Sequence, residues 1–309
     1  MPIAKSEVLG RRHYTPLRYP GGKGKLAPYL RQLVIANELD GGDYVEPYAG
    51  GAAIALELLA QGHVARVHIN DISRPVHSFW LSVLEHTEEL CRLVRDTPRT
   101  VEAWDGQKKV MLRQAEHDPL TVGFATFFLN RTNRSGILNG GIIGGREQKG
   151  AWKMDARYNA SELVRRIKAV AALKTNIVLT GLDALAFLQE GASRWPERTL
   201  IYLDPPYYVK GRDLYYQYYR HDDHQRIAGF VRSEVTRQRW IVSYDDAPEI
   251  RDLYSGCQQA AYSIAYSARS ARQGAEIMFF SDNLDIVPLI GAGPTDRQSR
   301  RVGVSRAPK

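Results

Sequence analysis

The chain alternates short apolar runs with longer amphipathic stretches, as strands interleaved with helices do. Apolar residues recur three and four apart after Leu26, which predicts a helix from about Leu26 to Leu39. A short strand is expected at Asp43–Glu46, a helix at Ala52–Leu59, and a second strand at Ala65–Asn70 that ends at Asp71. Strand, Gly-containing loop, helix, strand and acidic residue make a βαβ unit. Residues 75–120 read mostly as helix, and 121–135 continue so while turning polar and basic. Six glycines between Ser135 and Gly150 then break the periodicity, predicting a long loop or loose hairpin. Such segments in compact chains are usually functional. A helix is expected at Ala160–Leu173, a strand at Ile177–Leu179, a helix from Leu185, and a strand at Leu200–Leu203. A helix around Asp223–Thr236, a strand at Trp240–Ser243, and strands near Tyr262–Tyr266 and Ala275–Phe280 complete the series. The Gly, Pro and Arg content after Pro288 predicts a disordered tail. Strands separated by helices make this an α/β chain.

Composition adds a direction. The net charge is +8, and it is unevenly placed: residues 126–175 carry ten Lys/Arg against three Asp/Glu, and residues 1–40 carry seven against three. Localised positive charge suits a polyanion, most often nucleic acid; the plainer reading is a solvated basic surface. Cys91 and Cys257 lie far apart without metal-ligand spacing, which suits a reducing cytoplasm and disfavours a zinc ribbon. No apolar run is long enough for a bilayer, and the N-terminus lacks a signal-peptide core, so a cytoplasmic protein without membrane contact is expected.

The chemistry concentrates at Asp204-Pro205-Pro206-Tyr207, directly after the apolar run 200–203. A carboxylate, two imide carbonyls and an aromatic ring at a strand's C-terminal end lie where ligands bind in open α/β sheets. An exocyclic amine on a flat ring needs in-plane acceptors and a stacking face, which Asp204, the Pro205 carbonyl and Tyr207 can supply. Neither proline has an N–H, so this backbone is stiff and offers mainly acceptors. Upstream, Glu46-Pro47-Tyr48-Ala49-Gly50-Gly51 lets a ligand approach the backbone, but it is neither a Gly-x-Gly-x-x-Gly fingerprint nor a P-loop. Asp71 is placed to accept from ribose hydroxyls and Asp183 from an adenine amine. Plainer readings are a turn cap with Ser73 for Asp71 and a helix N-cap for Asp183.

Taken together and in order, these motifs resemble the Dam-type, alpha-class adenine-specific DNA methyltransferases. Arg18-Tyr19-Pro20-Gly21-Gly22-Lys23 resembles that family's N-terminal cofactor motif, and Val45–Ala52 its Gly-rich motif, with Tyr48 where Phe is more usual. Asn70-Asp71 resembles the ribose-binding position, and Thr180–Asp183 the site that reads the cofactor's adenine. Phe127–Arg131 and Asn133–Gly136 resemble the start of its DNA-contacting region. The resemblance spans roughly residues 15–285. It implies a Rossmann-like S-adenosylmethionine-dependent methyltransferase sheet with helices on both faces, and an inserted, mostly helical target-recognition domain. The catalytic domain is expected at 1–80 and 175–288, the insert at 81–174, and the tail at 289–309. Two elements depart from the family: Trp152–Tyr158 replaces its Asn-x-Pro-x-Gly-like element, and Asn139–Gly145 differs from its best-known members. The target sequence therefore does not carry over.

The resemblance also implies roles. S-adenosylmethionine donates the methyl group; Lys23 pairs with its carboxylate, Glu46 or a nearby carbonyl holds its ammonium, Asp71 grips the ribose, Asp183 the adenine, and Tyr19 or Tyr48 lies beside the sulfonium. A flipped adenine stacks on Tyr207 while Asp204 and Pro205 aim its amino group. Asn130, Arg131, Asn133, Arg134, Arg146, Lys149, Lys153 and Arg157 are the candidate contacts to double-stranded DNA. The implied protein is bacterial or phage-encoded, a monomer or weak dimer, with or without a companion restriction endonuclease. Alternatives are action on RNA or on cytosine N4, and a catalytically silent DNA-binding protein. Of Tyr207, Tyr208, Tyr215, Tyr216, Tyr218 and Tyr219, all but the first read as packing or a lid. His221 and His224 with Asp222 and Asp223 read as a helix start with an N-cap Asp, not as a metal site.

Overall fold

The computed structural model describes residues 14–18, 23–209, 219–264 and 274–288. The predicted strands and helices assemble into a mixed seven-stranded sheet of order β3-β2-β1-β4-β5-β7-β6. The strands are β1 (Gly42–Glu46), β2 (Val64–Asn70), β3 (Ile177–Thr180), β4 (Thr199–Leu203), β5 (Arg239–Asp245), β6 (Gln258–Ile264) and β7 (Gly274–Phe280). Strands β3, β2, β1, β4 and β5 run parallel, while β7 is antiparallel to both β5 and β6. β1 and β4 are buried along their whole length, as strands covered on both faces must be.

Alternate residues of those strands point to opposite faces and enter separate apolar clusters. Tyr44, Leu200 and Tyr202 join one cluster, and Val45, Ile201 and Leu203 the other. The first face is covered by α1 (Ala27–Ala36), α2 (Ala53–Ala60) and α3 (Arg74–Glu85); the second by α8 (Ala184–Gly191), α9 (His221–Ser233) and α10 (Pro248–Leu253). The class expected from the strand–helix alternation, an α/β sheet with helices on both faces, is therefore present. The short α10 has no counterpart in the sequence expectation; its six residues carry too little periodicity to announce it.

Between β2 and β3 the chain forms α3, α4 (Thr87–Asp96), α5 (Val101–Leu112), α6 (Pro119–Thr132) and α7 (Ala160–Ala171). Asp118 starts α6 by accepting from the Thr121 N–H at 3.0 Å, a cap that typically contributes about 1 kcal/mol. Helix α6 is almost wholly buried. Its Phe127 stacks on Phe79 of α3 at 6.0 Å and meets Tyr158 edge-on at 5.6 Å. These helices share one apolar cluster with the sheet, and residue 80, the expected last residue before the insert, lies inside α3.

The stretch 135–150 is more ordered than a loose hairpin. An isolated antiparallel bridge joins Asn133 to Ile142. Gln148 donates to the Ile143 and Gly145 carbonyls and accepts from the Met154 N–H at 2.9 Å. Asn133, fully buried, donates to the Ile137 and Leu138 carbonyls and accepts from Trp104 Nε1 at 2.7 Å. No helix among the described residues is long and apolar enough to cross a membrane.

Candidate active site

Strand order reverses between β1 and β4, because β2 and β3 lie on one side of β1 and β4 and β5 on the other. In an open α/β sheet the crevice at such a switch point, beyond the carboxyl ends of the strands, is where ligands bind. The loop after β1 is Pro47–Ala52, and the residues after β4 are Asp204–Tyr207. The two expected motifs therefore face one crevice from adjacent strands.

The β1 loop is tied down by the neighbouring strand ends. Gly50 adopts φ 46°, where a side chain is disfavoured, and Ala52 adopts the same φ as it enters α2. The Gly50 N–H donates to Asp71 Oδ2 at 2.9 Å, and its carbonyl accepts from Trp80 Nε1 at 2.8 Å. Asp71 Oδ1 accepts from the Ser73 N–H at 2.9 Å. Burial pushes the Asp71 carboxyl up to about 6, against the pull of those two N–H groups. The turn cap with Ser73 is thus real, and each oxygen keeps a further lone pair for a ligand hydroxyl. Asn70, unexposed, joins three strand ends: it donates to the Pro47 and Leu182 carbonyls and accepts from Thr180 and the Leu182 N–H. Asp183 caps α8 by accepting from Leu185 and Ala186, and its side chain is exposed.

Glu46, at the end of β1, is buried and accepts from Tyr44 Oη at 3.1 Å and the Ala55 N–H at 3.2 Å. Burial pushes its carboxyl up to about 8, with nearby Asp204 adding to the rise. Tyr48 reaches toward α9, its hydroxyl donating to Tyr219 Oη at 3.1 Å. Tyr19, and Tyr215, Tyr216 and Tyr218 of the aromatic run, lie outside the described residues.

Asp204 is a quarter exposed at its side chain. Its Oδ1 accepts from Ser243 Oγ at 2.8 Å and lies 3.3 Å from Lys23 Nζ. Burial raises its pKa, while Lys23 and Ser243 hold it down. Lys23 does not offer a free ammonium for a cofactor carboxylate. It is buried and donates to Glu276 Oε2 at 2.9 Å and Tyr207 Oη at 3.0 Å besides pairing with Asp204, which occupies all three of its protons. Glu276, on β7, also accepts from Tyr207 Oη at 2.9 Å and Tyr262 Oη at 2.6 Å. Ser243 lies at the end of β5, which the sequence reading had set beside the pocket, whereas Glu276 did not stand out, because it sits within an apolar strand and only the β5–β7 pairing brings it to the site. Two carboxylates thus share one ammonium.

Tyr207 is 8% exposed, with Lys23 Nζ 4.9 Å from its ring centroid. The ammonium thus lies over the ring. Asp245 accepts from the Tyr208 and Val209 N–H groups at 2.8 and 2.9 Å and so fixes the exit of this loop. In α9 the expected N-cap Asp is instead Asp223 at the third helical position, accepting from the Arg220 N–H at 2.9 Å; Arg220 holds the cap. His224 is buried against Tyr244 Oη at 2.9 Å, and burial pushes its pKa down to about 4.

The eight expected DNA contacts divide into two groups. Asn130, Arg131 and Asn133 are buried, held in hydrogen bonds within the protein. Asn130 grips the Arg18 backbone, accepting from its N–H at 2.7 Å and donating to its carbonyl at 2.8 Å, and donates to the Gly136 carbonyl. Arg131 donates to the Pro16 carbonyl at 2.7 Å. An apolar helix with polar residues in its last turn looks from sequence like a surface helix end; here the N-terminal segment lies across that end and buries it. Arg134, Arg146, Lys149, Lys153 and Arg157 are exposed. Arg146 forms a two-bond pair with Asp105 at 2.8 and 2.7 Å, and Lys149 pairs with Glu147 at 2.7 Å.

Residues 19–120 match the family model described as D12 class N6 adenine-specific DNA methyltransferase. The family likeness read from the motifs is borne out over that span. Asp204–Tyr207 lies beyond it. No curated protein matches the chain. Among solved structures, two of the rRNA methyltransferase AviRa from Streptomyces viridochromogenes are similar to the chain at 12% identity. They align at a TM-score of 0.37, one covering 85% of this chain and 86% of that one, the other 86% and 87%. A Legionella pneumophila protein, LPL1258, is similar at 12% identity and a TM-score of 0.32, covering 85% and 87%.

Proposed function

We propose that this chain, an adenine-specific DNA methyltransferase by its N-terminal match, transfers a methyl group from S-adenosylmethionine to the N6 amine of an adenine flipped out of duplex DNA. The observation that carries this reading is Asp204 at the switch point, partly exposed and aimed by Ser243 and Lys23, beside the Gly50 loop.

The donor set suits the cofactor. Carboxylates end three adjacent strands: Glu46 as the last residue of β1, Asp71 after β2 and Asp183 after β3. An ammonium, a ribose diol and an adenine amine are the groups such carboxylates recognise, in that order along the edge. When bound, S-adenosylmethionine supplies an electrophilic methyl group. Glu46 holds the ammonium as its carboxylate, giving up the proton that burial favours. Asp71 accepts from ribose hydroxyls with its remaining lone pairs.

The protein's part in the transfer is aim and charge. Asp204 and the Pro205 carbonyl accept the two N6 hydrogens and turn the nitrogen lone pair toward the methyl group. Tyr207, held at its hydroxyl by Glu276 and Lys23, stacks on the base. With both carboxylates ionised, the Lys23–Asp204–Glu276 cluster carries one net negative charge, which stabilises positive charge growing on N6. Flipping the base costs a few kcal/mol, offset in part by stacking and these hydrogen bonds. The direct displacement needs no covalent enzyme intermediate; Cys91 is buried and lies outside every motif.

Incubation with methyl-labelled S-adenosylmethionine and plasmid DNA, then digestion to nucleosides, tests this. Label is expected in N6-methyl-2′-deoxyadenosine, and Asp204→Ala should reduce it by about a thousandfold. Label in cytosine or only in RNA would sink the reading, as would undiminished transfer by the variant.

A further inference from the structure

Arg18 sits on a seam. Its backbone N–H and carbonyl are both gripped by Asn130 of α6, and a Cβ at Gly136 (φ 77°) would lie 2.2 Å from its carbonyl oxygen. The N-terminal segment is thereby locked against the helical segment, and the Arg18 Cα has a fixed place five residues before Lys23. The side chain forms no ion pair among the described residues. Its Nη1 is buried and makes no hydrogen bond, and no carboxylate pairs with the guanidinium among the described residues. Burial and the field of Arg157 both disfavour the charged form of Arg18, and Arg18 in turn bears on buried Arg131.

Arg157 is exposed and also lacks a carboxylate among the described residues, its guanidinium resting 5.8 Å from the ring centroid of Trp152. Trp152 is 67% exposed, a large apolar ring left in water. Lys149 and Lys153 flank it. A buried, unpaired guanidinium nitrogen costs free energy, and a like-charged neighbour adds to the cost. A tetrahedral oxyanion relieves both at once, since guanidinium forks match phosphate oxygens. The exposed Trp152 and flanking lysines continue this charge along the surface, which suits an extended polyanion better than a free ion.

We propose that Arg18 and Arg157 clamp one phosphodiester of the DNA backbone at the seam between the N-terminal segment and the helical segment. The clamp rests on the DNA-methyltransferase reading above. It carries no sequence information itself, since phosphate contacts position the duplex while base edges specify it. Its use is register: one phosphate is fixed relative to Lys23, and through Lys23 relative to Asp204.

The test is equilibrium binding of fluorescent duplexes, of target and scrambled sequence, across a salt series. Arg18→Gln should weaken binding about five- to twentyfold on both sequences and reduce the slope of log Kd against log salt by about one. Arg18→Lys should restore the slope. The cost should appear in Kd and in the KM for duplex, not in the single-turnover rate at saturating DNA. Replacing a single linkage with an uncharged methylphosphonate, scanned along the duplex, should find one position that costs the wild type affinity but costs Arg18→Gln nothing. An unchanged slope for Arg18→Gln, a loss confined to the target sequence, or no such linkage would overturn the clamp. If wild-type protein transfers label to DNA while Arg18→Gln binds as well as it does, only the clamp falls; if wild type neither binds nor methylates DNA, the underlying function falls with it.

Discussion

Glu46 and Glu276 are two buried carboxyl groups with different partners. Glu46 has hydroxyl and amide donors only, and burial pushes it up to about 8, so it is protonated in the ligand-free protein near neutral pH. A cofactor ammonium favours the ionised form, so binding must release that proton. Cofactor affinity should therefore rise with pH up to about 8, by at most about tenfold per unit. Titration calorimetry at pH 6.5 in buffers of different ionisation heat should count close to one proton released; none released would remove Glu46 from the ammonium site. Glu276 instead lies 2.9 Å from a buried ammonium, and its charge helps raise the pKa of Asp204. Removing that charge with Glu276→Gln should lower the Asp204 pKa, so the acid limb of the transfer rate moves to lower pH. The plateau rate should fall about ten- to a hundredfold as charge stabilisation is lost. A merely structural Glu276 would reduce the rate and leave the limb where it is.

At the scale of elements, the helices and strands followed from periodicity almost throughout, because burial on one or both faces writes a period of two or 3.6 into the chain. The crevice was legible for a similar reason: Asp204 and Gly50 sit at strand ends, where apolar runs stop. Burial of α6 was not legible. Asn130, Arg131 and Asn133 are polar residues at a helix end, and their enclosure depends on the N-terminal segment crossing over from more than a hundred residues away. Asn130→Ala removes three hydrogen bonds and leaves the Arg18 N–H and two carbonyls unsatisfied. We expect a loss of about 2–4 kcal/mol in unfolding free energy, measurable by denaturant titration; a surface DNA contact would instead leave stability intact and weaken DNA binding. The tie between α6 and Arg18 also explains why a motif resembling a cofactor site reaches into the segment expected to face DNA.

Across the whole molecule, charge is segregated, and under the proposed function its segregation sets how DNA is held. The basic stretch 126–175 exposes five of the eight expected DNA contacts, but they are not equivalent. Arg146 is already held by Asp105 and Lys149 by Glu147, so a phosphate there replaces one anion with another and releases less. Arg134 and Arg157 have no carboxylate among the described residues, nor does Arg18, and Lys153 donates to the Gln148 carbonyl. With Arg18 and Arg157 sharing one phosphate, about three net phosphate neutralisations are therefore expected from the described surface, at about 0.9 counterions each. The slope of log Kd against log salt for a non-target duplex should lie near three, and Asp105→Asn should steepen it by up to about one by freeing Arg146. Fluorescence anisotropy between about 50 and 300 mM salt reads both. A slope near zero would mean the basic stretch is a solvated surface, and no change with Asp105→Asn would mean that Arg146 already reaches DNA in spite of its carboxylate partner, or never reaches it.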